Sequence, residues 1–386
     1  MTKLVIIGTG LAGYTLAREF RRRDQETELL LITRDDGHSY SKPMLSNALG
    51  KNKQADELVM ASLDKMATDL NAEIWNNTHV IKIDKQAHTL EIERNSKKET
   101  VHYDQLVIAN GASTINAPIE GNAIKRVLSV NDLEDYRQFR NELEKGKRIV
   151  IIGAGLIGCE FANDLSHINA EISIVDLSSQ ALGLLVPEQA AEKLKEKLSE
   201  LGTRWYFKNS VTHVDKAQDE SLIVTLKDGS KIEADVVLSA IGLRPRLALA
   251  EAAGLEVDRG IKVDRHMQTS DKDIYALGDC AQIEDLTLPF VMPLMTSARA
   301  IAATLTGDKT AVRYPAMPVV VKTPCYPTVV CPAPRRVEGD WDVEINEQGV
   351  CALFKDNNDD VLGFVLMGER VAEKTTLVKQ IPDWLP

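Results

Sequence analysis

Two apolar runs, each breaking into a glycine-spaced turn and resuming at helical periodicity, predict an α/β chain. It would hold two Rossmann-like units, one inserted into the other, and a small α+β region at the C-terminus. The first run is LVII, Leu4 to Ile7, followed by Gly8, Gly10 and Gly13. A continuous apolar stretch of this kind suits a parallel strand buried on both faces. The second is RIVII, Arg148 to Ile152, followed by Gly153, Gly155 and Gly158. After each turn the chain runs through a polar-alternating hairpin into another apolar strand and another glycine, LVIANGA in the first case and VVLSAIG in the second. Self-similarity on this scale marks a repeated structural unit.

Taken in order, the first turn has the G-x-G-x-x-G spacing of a dinucleotide site. Gly8 permits the tight turn, Gly10 lets the backbone approach a pyrophosphate, and Gly13 lets the next helix pack closely on the strand. That helix carries Leu11, Tyr14, Leu16, Ala17 and Phe20 at helical spacing, and its positive end faces the anion. Glu28 to Thr33 reads as a second buried strand ending at Arg34-Asp35-Asp36. Asp35 is the candidate for an adenosine ribose hydroxyl, with Arg34 placed to lie over the adenine. In SYSKPMLS, Ser39 to Ser46, Pro43 restricts Lys42 to an extended backbone, and Met44 and Leu45 anchor a helix start. AEIWNNTHVIKID then gives a strand in which Val80 would sit beside the first nucleotide. The charged stretch from Asp132 to Lys145 reads as a solvated helix.

In the second unit Glu160 falls on the first turn of the helix after Gly158. A carboxylate there is favoured by the helix dipole alone. The strand Glu171 to Val175 ends at Asp176, about 20 residues beyond the turn, where an acidic side chain meets the ribose of NAD. No arginine or lysine stands among Leu177 to Gln180 to neutralise a 2′-phosphate. This pattern selects NADH over NADPH. Beyond Leu243-Arg244-Pro245 the chain returns to the first unit through TSDKDIYALGDCA, in which Gly278 allows the backbone to present Asp279 to a ligand. A helix opened by Pro293 and closed by Gly307 follows, its N-terminus facing an anion or an electron-accepting ring. The boundaries expected are 1–114 with 243–312 for the discontinuous first domain, 115–242 for the second, and 313–386 for the C-terminal domain.

Composition narrows the class. A chain of 386 residues with 44% hydrophobic content can bury real cores. A formal charge of −11 argues against nucleic acid or an anionic membrane as main partner. No apolar run approaches the roughly 20 residues of a membrane span. The chain also enters a strand at once, with no signal peptide. Five scattered cysteines fit a reducing compartment, so the expectation is cytoplasmic.

The set GTGLAG, SYSKPMLS, LVIANGA, GAGLIGCEFA, LSAIGLRP and TSDKDIYALGDCA, in this order, resembles the FAD-dependent pyridine nucleotide reductases, flavoproteins with two dinucleotide-binding domains. The resemblance covers essentially the whole chain. MPVVVKTPCYPTVVCPAP, Met317 to Pro334, is similar to the rubredoxin–NAD(+) reductases within that class. What the resemblance implies is FAD in the first domain, on Gly8, Thr9, Gly10, Leu11, Ala12, Gly13, Arg34, Asp35, Lys42, Val80, Gly111, Asp279, Val291 and Lys322. NADH would lie in the second, on Gly153, Gly155, Leu156, Ile157, Gly158, Glu160, Asp176 and Gly242. Lys42 and Glu160 would stand around the flavin N5, and Asp279 on its ribitol. Asn110 departs from the threonine common in relatives.

The cysteines then set the reaction class. No C-x-x-C or C-x-x-x-x-C stands on the early helix, and no cysteine precedes Cys159. Cys325 and Cys331 match no redox pair, the histidines lie outside every motif, and no metal site is expected. The reaction left takes hydride from NADH and passes single electrons to an external acceptor, which the resemblance implies is rubredoxin, with ferredoxin or flavorubredoxin as alternative carriers. A redox-sensing flavoprotein with slow turnover is the alternative of another class. The resemblance also implies an acidic rubredoxin-like carrier, so docking would need a basic patch, with Lys42, Lys322 and Arg335-Arg336 as candidates.

Overall fold

The computed structural model describes residues 3–144, 146–334 and 337–386. Five strands of the first unit form a parallel sheet in the order Ile274–Ala276, Gln105–Ile108, Lys3–Ile7, Glu28–Ile32, Glu73–Trp75. The second unit repeats it: Val127–Leu128, Val236–Ser239, Arg148–Ile152, Glu171–Asp176, Arg204–Phe207, again all parallel. In both, the strand that feeds the glycine turn is central and its neighbours are near-continuous buried apolar runs. The turn therefore opens at the middle of the carboxyl edge, where open α/β sheets bind ligands.

The repeat extends further. Each unit carries a three-stranded antiparallel meander, Thr78–Asp84, Thr89–Arg94 and Lys97–His102 in the first and Val211–Lys216, Leu222–Leu226 and Lys231–Ala234 in the second. The two crossovers between the units pair with each other, Ala112–Thr114 running antiparallel to Leu243–Pro245. The C-terminal region is a five-stranded antiparallel sheet in the order Val319–Val321, Thr328–Cys331, Val361–Gly368, Gly349–Asp356, Gly339–Asn346, with a short helix Lys374–Val378. Among the described residues no helix is long and apolar enough to cross a membrane.

One apolar cluster joins parts far apart in sequence: Leu45 and Leu49 from the first unit, Phe161 and Leu165 from the second, and Val321, Val350 and Met367 from the C-terminal sheet. The helix Leu156–Ser166 is their common neighbour.

Two local expectations change. The helix in the charged stretch, Leu133–Glu142, is capped by a reciprocal Asp132–Asp135 box and is not merely solvated, because Leu133, Tyr136 and Phe139 are buried. Phe139 meets Phe161 edge-on at 5.5 Å between ring centroids, a contact contributing about 1 kcal/mol beyond burial. The helix near Pro293 begins earlier, at Val291, which is itself partly exposed, and runs to Leu305 before Gly307 at φ 93°.

Candidate functional site

The first glycine turn is shaped by contacts that exclude a side chain at two positions and leave the middle one open. A Cβ on Gly8, at φ 109°, would lie 2.4 Å from the Ala109 carbonyl oxygen, and one on Gly13 would lie 1.9 Å from the Gly8 carbonyl oxygen. Around Gly10 nothing comes within 4 Å. Gly10 caps the helix Leu11–Arg21 without any side-chain cap bond, and no acidic residue stands in its first turn. The helix thus starts with amide donors directed at open space, the arrangement that holds an anion. Thr9 and Ala12 are buried beside it.

At the end of the next strand Asp35 Oδ1 accepts from Thr33 Oγ1 at 2.7 Å, Gly37 N at 3.1 Å and Thr9 Oγ1 at 3.3 Å. These bonds orient the carboxylate through Oδ1. Arg34 is exposed beside it, and Val80 packs against the core of the first unit. Farther along, Lys42 Nζ lies 3.6 Å from Asp279 Oδ2. Gly278, at φ 77°, allows the Asp279 turn to rest on the helix Leu11–Arg21, since a Cβ there would come 2.9 Å from that of Ala12. Gly111 adopts φ 68°. Burial, offset in part by Asp279, lowers the proton affinity of Lys42.

The second turn has the same geometry. A Cβ on Gly153 would stand 2.7 Å from the Ala240 carbonyl oxygen and one on Gly158 1.9 Å from that of Gly153, while Gly155 is open to 4 Å. Asp176 is anchored through both oxygens, Oδ2 accepting from Ala154 N at 2.5 Å and Oδ1 from Ser178 N at 2.6 Å and Ser178 Oγ at 2.5 Å. Leu156 is half-buried, Ile157 is 42% exposed at the helix start, and Gly242 turns at φ 105°.

Both turns fit a dinucleotide on grounds independent of motif spacing. Each has an open central glycine, and each is bordered by a buried side-chain oxygen with no hydrogen-bond partner among the described residues, Asn110 Oδ1 at the first and Ser239 Oγ at the second. Orphaned buried polar atoms call for a ligand or water.

On the helix after the second turn, Glu160 is fully buried. Its Oε2 receives Ser46 Oγ at 2.6 Å and Lys322 Nζ at 2.5 Å, and its Oε1 receives the Lys322 amide at 3.0 Å. The same helix face continues with Asn163, whose Oδ1 accepts from Cys325 N at 3.0 Å, and Asp164, which accepts from the amides of Leu49 at 2.9 Å and Gly50 at 2.7 Å. One helix of the second unit thereby holds the Lys42 segment of the first and the Lys322 segment of the C-terminal sheet. Lys42 and Glu160 are not partners of each other: Lys42 goes to Asp279 and Glu160 to Lys322. Sequence reading had missed Ser46, Asn163 and Asp164. The spacing of Glu160, Asn163 and Asp164 on one face of an otherwise apolar helix was the available signal.

The basic-patch expectation changes accordingly. Lys42 and Lys322 are both engaged by buried or half-buried carboxylates, so neither offers a free charge. Arg335 and Arg336 lie outside the described residues. All five cysteines are free. Burial pushes the Cys159, Cys280 and Cys331 thiols up to about 12 and Cys325 to about 11. Among the described residues no group of histidine, cysteine and carboxylate side chains could hold a metal.

Comparison with known proteins follows this geometry. The chain matches the family described as pyridine nucleotide-disulphide oxidoreductase over residues 2–303, and the rubredoxin binding C-terminal domain over 311–381. It is 47% identical over 386 residues to a rubredoxin-NAD(+) reductase of Alcanivorax borkumensis, covering 100% of both chains. It is 45% identical over 390 residues to one of Acinetobacter baylyi, covering 100% of this chain and 99% of the other. A nitric oxide reductase FlRd-NAD(+) reductase of Shigella sonnei is 35% identical over 379 residues, covering 98% of this chain and 99% of its own. Among solved structures, the covalent putidaredoxin reductase–putidaredoxin complex aligns at TM-score 0.89 and 26% identity, covering 99% of this chain and 94% of that one.

Proposed function

The chain belongs to the pyridine nucleotide-disulphide oxidoreductase family and, within it, to the rubredoxin–NAD(+) reductases, and from that premise we propose that it carries FAD in the first unit, takes hydride from NADH in the second, and delivers single electrons to rubredoxin. The observation that carries this reading is the pair of open glycine cradles at Gly10 and Gly155, with Glu160 on the helix after the second bonded to Ser46 of the first unit and Lys322 of the C-terminal sheet. When bound, the flavin supplies the conversion of a two-electron donor into one-electron transfers. Asp35 would hold the adenosine ribose of FAD and Asp279 its ribityl chain, with Lys42 held over that carboxylate. Asp176 would hold the ribose of NADH. Glu160 would fix Lys322 at the junction of the two nucleotides. The C-terminal sheet would receive the carrier. Five free cysteines, four of them buried, suit the cytoplasm.

Steady-state turnover with NADH and rubredoxin tests this reading. Rubredoxin should be reduced at rates of order 1–10³ per second, typical of an enzyme. A long-lived reduced protein that turns over slowly would favour a sensor. Faster reduction of flavorubredoxin than of rubredoxin would move the carrier assignment.

The nucleotide preference follows from Asp176, whose fixed carboxylate would face the 2′-phosphate of NADPH with no cation to relieve it. The expected kcat/KM ratio favours NADH by at least about tenfold. Asp176→Asn should narrow it, mainly through KM for NADPH, and equal use of both nucleotides by the native protein would contradict the assignment.

Thiol chemistry is expected to be absent. Thiolate, not thiol, is the reactive form. Native protein treated with iodoacetamide, and the Cys325→Ser variant, should therefore reduce rubredoxin within about twofold of the untreated rate. A larger loss with the flavin still bound would assign a thiol to turnover.

A further inference from the structure

Arg246 stands immediately past the returning crossover strand Leu243–Pro245 and is locked onto the wall of the first glycine turn. Its amide donates to the Gly111 carbonyl at 3.1 Å, and Asn110 Nδ2 donates to the Arg246 carbonyl at 3.2 Å. Asn110 lies against the turn itself, its Cα 3.5 Å from where a Cβ on Gly8 would be. The guanidinium is fixed by two bonds, Nη1 to the Asn110 carbonyl at 2.6 Å and Nε to Ser113 Oγ at 2.8 Å. Five donors are available on this group. Among the described residues it has no carboxylate in ion-pair contact.

Its surroundings are unusual for a half-buried cation. Burial lowers its proton affinity, the neighbouring Arg34 lowers it further, and Asp132 and Asp35 offset this in part. Lys42, on the other side, feels Arg246 as a repelling charge. Arg34 and Lys42 are thus near enough to act on Arg246 electrostatically, and its Nη1 stands 3.9 Å from where a Cβ on Gly111 would be. In the proposed reading Asp35 would take the adenosine end of FAD, and Asp279 with Lys42 the ribityl end. The group between those ends in FAD is the diphosphate, which carries two negative charges.

We propose that Arg246 clamps the FAD diphosphate from the side opposite the helix Leu11–Arg21, so that the cofactor ties the returning crossover to the first unit. The proposal rests on the reading that this unit holds FAD. Planar bidentate recognition is what distinguishes Arg from Lys at a phosphate.

The test is FAD affinity of the full chain, measured from recovery of flavin fluorescence on dilution, with ADP and AMP as competitors of rebinding. Arg246→Gln should weaken FAD by about 10–100-fold, the loss expected for one charged hydrogen-bonded contact. ADP competition should fall by a similar factor and AMP competition by less. Arg246→Lys should recover part of the affinity, and the salt dependence of FAD binding should flatten in Arg246→Gln. Affinity within about twofold of the native protein would overturn the proposal. So would equal losses for ADP and AMP, the mark of a crossover that has merely loosened. Native protein that binds no FAD at all would instead sink the reading on which the proposal rests.

Discussion

Gly13→Ala is expected to yield protein that is destabilised and isolated without flavin, whereas Gly10→Ala should fold normally and bind it more weakly. The two glycines are three residues apart in one motif but face opposite constraints. A Cβ on Gly13 would stand 1.9 Å from the Gly8 carbonyl oxygen and 3.0 Å from its carbon, both backbone atoms that no rotamer change can move. The helix Leu11–Arg21 would have to lift off its strand, at a cost of about 3 kcal/mol or more, the upper end for overpacking. Gly10 has nothing within 4 Å and a φ of −64° that alanine adopts freely. Its added methyl costs the fold within about 0.5 kcal/mol. It does occupy the space where the diphosphate would approach, and FAD affinity should drop by at least about tenfold. Thermal denaturation of the stripped proteins together with flavin content separates the two effects. Equal stability of both variants would contradict the contact argument.

The second large effect is expected at Glu160. Glu160→Ala would remove a fully buried carboxylate and leave the Lys322 ammonium, the Lys322 amide and Ser46 Oγ without their acceptor. Breaking a buried pair from one side costs about 3–5 kcal/mol, because the uncompensated charge stays behind. Lys322 retains some exposure, which places the expectation at the lower end. Glu160→Ala combined with Lys322→Met should be less destabilised than Glu160→Ala alone, since the stranded charge is gone. Because the pair joins the second unit to the C-terminal sheet, the single variant should also become cleavable by protease near residue 312 while the native chain resists. A variant with the native melting temperature would show that the junction is held by the apolar cluster alone.

What could be read from the sequence is what local chemistry determines. Parallel strands covered on both faces announce themselves as Leu4 to Ile7 and Arg148 to Ile152, and glycines at fixed spacing mark the turns that follow. The positions of Asp35 and Asp176 were legible for the same reason, each at or just past the end of a strand and bonded back toward its turn. The partners of Glu160 were not, because Ser46 lies 114 residues before it and Lys322 162 residues after it, and only the folded chain brings them together. The charged composition of Leu133–Glu142 hid its inward face, which needs only Leu133, Tyr136 and Phe139 at helical spacing. Arg246 was not singled out, since its bonds to Asn110 and Ser113 depend on how the second unit returns to the first.

The central claim is a path from NADH through a bound flavin to a one-electron protein carrier, and anaerobic stopped-flow mixing in two stages tests it most directly. The flavin absorbance should bleach on addition of one equivalent of NADH. It should then return as about two equivalents of oxidised rubredoxin are reduced, one electron each. Bleaching by NADH with no return on addition of rubredoxin would contradict the account.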